Sequence, residues 1–176
     1  MAVACINFAH ITITSGLRHY PLIYSNIMKK TGNTSDFKEE RDQDLHRSFM
    51  EVLKTAVGVP LREMFGLAAA RPSRRFWVSE GRASIVIGAM MRGEALSDKV
   101  LPKRRAMYEE IYRRVRQCME ENPRLCMTHA VNEVVYQPAP EFYIEPEAAR
   151  SIIYRYRQRR KNKANHKNDG DRGNIA

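Results

Sequence analysis

The chain has 176 residues, 43% of them hydrophobic, with a formal net charge of +10 and a pI near 9.8. Length and apolar content suffice for one medium domain or two small ones and exclude a disordered chain. The positive excess favours anionic partners such as nucleic acid, an acidic protein surface or anionic lipid.

Residues 1–34 read as a poorly structured N-terminal extension. His10 and Arg18 interrupt its apolar run, which reaches neither a secretory core nor membrane-spanning length. Met28, Lys29 and Lys30 look like the polar start of a cytosolic protein, so translation is expected to begin at Met28 and the product to be cytoplasmic, away from the membrane. Three cysteines, Cys5, Cys118 and Cys126, without CxxC spacing, fit a reduced setting better than a disulfide framework.

Helical signals begin at Ser35. Ser35 or Asp36 caps a helix that should run to about Val57, where Gly58 and Pro60 end it. A second helix is expected over 60–70, opened by Pro60, and a proline-containing connector over 71–78 follows. Ser79 caps a third helix with Ala83, Val86, Ile87, Met90 and Met91 on one face, and Gly93 stops it. After a polar linker, Pro102 opens a helix that turns Met107, Ile111, Val115, Cys118 and Met119 inward and breaks at Asn122-Pro123. A helix over roughly 125–137 and a final one opened by Pro146 complete the series. Residues 161–176, rich in Lys, Asn, Asp and Gly, read as a disordered basic tail.

The second half repeats the first. Pro72, Phe76, Trp77, Val78, Ala83, Val86 and Ile87 return sixty-six residues later as Pro138, Phe142, Tyr143, Ile144, Ala149, Ile152 and Ile153. Leu61, Met64, Phe65, Ala68 and Ala69 likewise match Met127, Ala130, Val131, Val134 and Val135, the same helical face in both copies. The expected fold is therefore all-α, two tandem three-helix, helix-turn-helix-like units over 35–93 and 102–160 with a flexible basic C-terminal tail.

The last helix carries the candidate site. Arg150, Arg155, Arg157, Arg159 and Arg160 crowd the surface left by Ala149, Ile152, Ile153 and Tyr156, and Lys161 and Lys163 extend the charge. Arginines there suit phosphate contacts, and Gln158 suits a base edge if the helix enters a major groove. Arg74 and Arg75, beside Trp77, form a lesser candidate in which the indole stacks on an unpaired base, although corner packing is the ordinary role of such aromatics.

The string Gln137-Pro-Ala-Pro-Glu-Phe-Tyr-Ile144, followed by Glu147, Arg150, Ile152 and Ile153, resembles small uncharacterised proteins of bacterial prophages and other mobile elements, over roughly residues 72–160. More broadly, the three-helix units resemble helix-turn-helix DNA-binding domains, although the connector is longer than their usual tight turn and lacks glycine. The resemblance implies a DNA-binding accessory or regulatory role and brings no activity of its own.

Catalytic signatures are missing: there is no HExxH, nucleophile elbow, Walker loop or Gly-rich dinucleotide turn. Cys118, Cys126 and His129 lack the spacing of a structural zinc site. The expectation is a non-enzymatic binder of nucleic acid, duplex DNA before RNA, without cofactor or metal. Homodimerisation through the Met- and Ala-rich first unit is compatible with this. The alternative is a helical adaptor for an acidic protein, using Met90, Met91 and the 35–57 helix.

Overall fold

The computed structural model describes residues 37–172, which fall in one compact unit. Six helices occupy this span: α1 Lys38–Thr55, α2 Leu61–Ala69, α3 Glu80–Met91, α4 Pro102–Glu121, α5 Met127–Val135 and α6 Pro146–Arg172. Among the described residues there is no strand, only an isolated bridge, and no helix is long and apolar enough to cross a membrane. The proposed start at Met28, the 1–34 extension and Cys5 lie outside the described residues.

Local chemistry sets the helix limits. Gly58 and Gly93 take positive φ values of 76° and 82°, left-handed positions that close the ends of α1 and α3. The Ser79 hydroxyl accepts from the Arg82 N–H at 3.4 Å and starts α3, while Pro102 occupies the first turn of α4. The final helix is longer than the sequence predicts. Instead of giving way to a disordered tail at residue 161, α6 continues to Arg172. No glycine or proline interrupts it before Gly170, and Lys163 donates to Glu39 Oε1 at 3.1 Å, which ties the extension to the start of α1.

The spatial grouping of the helices departs from their order in the chain. Helices α1 and α2 pack with α6, and α4 and α5 pack with α3. The units expected over 35–93 and 102–160 are therefore not the packed groups, because each has given its third helix to the other. Successive α2 and α3 do not touch, so the helix-turn-helix arrangement expected between them does not form.

The two cores follow the same exchange. Leu45, Phe49, Val52, Phe65, Ala68 and Ala69 close on Phe142, Ala149, Ile152 and Ile153. Their counterparts sixty-six residues on, among them Ile111, Val115, Val131, Val134 and Val135, close on Phe76, Ala83, Val86 and Ile87. Burying each phenylalanine of this kind stabilises the fold by roughly 1.5–3 kcal/mol, so both third helices are held by substantial anchors.

The connectors cross at the centre. The Ser73 N–H donates to the Ala139 carbonyl at 3.0 Å and the Ala139 N–H donates back to Ser73 at 3.0 Å. On either side, Phe76 N–H donates to Val135 O at 3.1 Å and Phe142 N–H to Ala69 O at 2.9 Å. Every donor and acceptor in this set has its equivalent sixty-six residues away, the reciprocity of a self-complementary two-fold contact. Trp77 and Tyr143 straddle the crossing, each packing against the core that its neighbouring phenylalanine does not enter. Tyr143 has φ 54°, a strained left-handed conformation for a non-glycine residue, and its ring lies 6.1 Å from Phe76.

Candidate nucleic-acid interface

Two arginine-rich helices offer themselves as anion surfaces, and carboxylates treat them differently. On α4 and its approaches, Lys103 pairs with Glu141, Arg105 with Asp98, Arg113 and Arg114 with Glu110, and Arg116 with Glu120. Hydrogen bonds from Arg113 and Arg114, opposed by partial burial, hold the Glu110 carboxyl below its usual range. Charge on this helix is largely balanced by its own neighbours. No acidic residue occurs between Glu147 and Asp169, so α6 lacks carboxylates of its own through its basic section.

Five of the candidate side chains on α6 have identifiable partners. Arg150 Nη1 lies 3.8 Å from Glu147 Oε2, with its guanidinium 5.8 Å from the Tyr154 ring centre. Arg155 donates to the Ser151 carbonyl at 3.2 Å, and Gln158 to Asn162 Oδ1 at 3.5 Å. Arg159 and Lys163 reach across to α1, the first to Asp42 and the second to Glu39. Among the described residues, Arg155, Arg157, Arg160 and Lys161 are exposed and have no carboxylate partner. Arg150, Arg157 and Lys161, with Tyr154, recur at helical spacing and form one line along the helix.

Arg74 and Arg75 belong elsewhere. Asp44, whose side chain is fully buried, accepts from the Arg74 backbone N–H at 2.9 Å and also pairs with Arg74 Nε and with Arg47. Arg75 lies with its guanidinium 3.9 Å from the Tyr136 ring centre and donates to the carbonyls of Phe76 and Val78. Both are committed to fixing the connector, and neither ion-pairs with α6. Their partners are Asp44 on α1, the Tyr136 ring and carbonyls of the connector itself, none of them on the last helix. Trp77 beside them is half-buried and packs on Phe37, with ring centres 6.3 Å apart, so its accessible face is small for base stacking.

Three α1 residues outside the predicted set lie beside the candidate surface of α6. Asp42 continues the apolar line of Leu45, Phe49 and Val52 and is 1% exposed. A carboxylate on a core-facing line needs cationic or hydrogen-bonded partners, the one signal by which its role was legible. It receives Arg41 on Oδ1 and Arg159 on Oδ2. Lys38 lies one turn before it and faces the α6 cations. His46 packs against Tyr156, with ring centres 5.1 Å apart, and is drawn below the ordinary imidazole pKa by burial first and then by the Arg157 and Arg160 charges.

The thiols have separate partners. Cys118 Sγ lies 3.7 Å from Glu133 Oε2, with burial and that carboxylate raising its pKa, whereas Cys126 Sγ lies 3.3 Å from His129 Nδ1. No cluster of three metal-ligating side chains occurs among the described residues. In chemical terms the α6 surface offers several guanidinium forks, an ammonium and an amide donor on one helix, a set suited to phosphate oxygens. Comparison with protein-family models, with curated proteins and with solved structures yields no match.

Proposed function

We propose that the protein binds nucleic acid without catalysing a reaction and that the middle of α6 is the contact element. The observation that carries this reading is the contrast between the two arginine-rich helices. The cations of α4 are mostly paired, while Arg155, Arg157, Arg160 and Lys161 present exposed charge without a carboxylate partner. Duplex DNA is the favoured form because an exposed α-helix fits the major groove of B-DNA, whereas that of A-form RNA is too narrow for side chains to read. Gln158, exposed beside Arg155 on the side of α6 that faces α1, adds an amide donor to this set. The setting proposed, from the sequence string Gln137–Ile144 alone, is an accessory or regulatory role in a bacterial prophage or mobile element.

Titration of a labelled duplex over a salt series tests it. Binding should weaken steeply with salt, as release of counterions from several neutralised phosphates requires. Absence of any complex at low salt removes the reading.

An acidic protein partner is the second possibility, and exposed Met50 and Leu53 on α1 favour it. The other adaptor residues do not: Met90 and Met91 pack against the core formed by α3, α4 and α5. An adaptor role predicts capture of an acidic protein with no duplex binding under the same conditions.

A further inference from the structure

Two clefts lie between α1 and α6, and Arg159, paired with Asp42, lines both. One contains Glu39, Gln43, Tyr156, Arg160 and Lys163, and its exposed carboxylate, Glu39, takes Lys163. The other, of about 280 Å³, is lined by Lys38, Asp42, Arg155, Gln158, Arg159 and Asn162.

The second cleft has a charge pattern of its own. Asp42 is the one carboxylate in its lining, and both oxygens are already taken, Oδ1 by Arg41 and Oδ2 by Arg159. Two guanidiniums on one carboxylate leave that cluster with a positive remainder, to which Lys38 and Arg155 add. Arg155 uses Nε on the Ser151 carbonyl, and its terminal nitrogens make no hydrogen bond among the described residues. Gln158 holds Asn162 by a long bond of 3.5 Å, which an incoming acceptor can replace. Cations and amide donors thus line a space large enough for a tetrahedral oxyanion with part of an attached ester. Phosphate suits it because several oxygens can meet donors from both helices at once.

We propose that this cleft is a phosphate seat, with Lys38, Arg155 and Arg159 as its charged donors. It rests on the nucleic-acid reading only for the source of the phosphate, which is the duplex backbone; a free phosphate compound is the other source. Occupancy would lock the start of α1 onto α6 and fix where along the helix a backbone phosphate sits.

The test uses the full chain, two variants and two probes. Inorganic phosphate is titrated while the side-chain nitrogens of Arg155, Arg159 and Lys38 are followed by NMR, and duplex affinity is measured over a salt series. In the unaltered protein these nitrogens should shift and saturate. The double variant Lys38→Gln/Arg155→Gln should lose the saturation with its circular dichroism unchanged, and its duplex affinity should fall about tenfold or more, with the salt slope smaller by about 2. The double variant Arg157→Gln/Lys161→Gln, altered outside the cleft, should keep the phosphate response while losing duplex affinity.

Saturable phosphate binding in the cleft with no duplex binding by any form supports the seat with a free phosphate compound as ligand and overturns the nucleic-acid reading. Duplex binding that Lys38→Gln/Arg155→Gln leaves unchanged, with no saturable response to phosphate, overturns the seat and leaves the nucleic-acid reading in place.

Discussion

Ser73 and Ala139, equivalent positions in the two halves of the chain, exchange both of their backbone hydrogen bonds at 3.0 Å. A residue pairing with its own counterpart is the arrangement expected across a two-fold axis between subunits. Here both partners are in one chain, and the connectors that carry them deliver α3 and α6 to opposite groups. The bridge is therefore the crossing point of the exchange, and Pro72, Pro138 and Pro140 stiffen the segments that approach it.

Ala139→Pro removes one of the two bridging donors at a position that is 1% exposed. Urea unfolding should show a loss of about 2–3 kcal/mol, from the missing bond and the ring's steric demand. Pro138→Ala leaves the bridge intact and should change stability by about 1 kcal/mol or less.

Phe142→Ala distinguishes exchanged from consecutive packing. Phe142 follows α5 in the chain but lies in the core formed by α1, α2 and α6. Truncation should cost about 3–5 kcal/mol. Native-state hydrogen exchange should show the loss of protection in α1, α2 and α6 before α4 and α5; the reverse order contradicts the exchange.

Much of this architecture is legible in the sequence. Gly58, Ser79, Gly93, Pro102 and Pro146 mark helix limits close to those found, because caps and left-handed glycines act within a few residues. The core positions are legible too, since the apolar lines through Leu45 and Ile111 keep helical spacing. The partner of each line is not. Leu45, Phe49 and Val52 accept Ala83, Val86 and Ile87 or Ala149, Ile152 and Ile153 equally well by pattern, and the choice is made by connectors too long and stiff to fold back as tight turns. The candidate site is legible as a cluster of charge, but its division is not: Arg159 is captured by Asp42, a residue distant in sequence, while Arg157 and Arg160 are left exposed.

That division predicts different consequences for neighbouring arginines. Arg159→Gln leaves buried Asp42 with Arg41 alone and should lower stability by about 1–2 kcal/mol in thermal or urea unfolding. Arg157→Gln touches no such pair and should alter stability by no more than about 0.5 kcal/mol, while weakening duplex binding.

His46 links the stability of the fold, and the proposed binding by α6, to pH. Its pKa in the fold is below the ordinary value of 6.5, through burial and the neighbouring Arg157 and Arg160 charges. The unfolded chain therefore binds the proton more readily, so this contribution to stability is full above pH 6.5 and is lost as pH falls through the folded value. His46→Gln should flatten that part of the stability profile. A polyanion that neutralises Arg157 and Arg160 raises the His46 pKa, so binding should take up a proton and tighten as pH falls through the same window. Calorimetry in buffers of different ionisation enthalpy reads the proton directly.

Binding of a duplex by the unaltered chain and by the variant Arg155→Gln/Arg157→Gln/Arg160→Gln/Lys161→Gln, each across a salt series, addresses the role of α6 most directly. If α6 is the contact element, log affinity should depend steeply on log salt for the unaltered chain, with a slope smaller by about 3–4 for the variant, because each cation removed leaves one phosphate with its counterions. An unchanged slope and affinity in the variant, with its helical content intact, would place the binding surface away from α6.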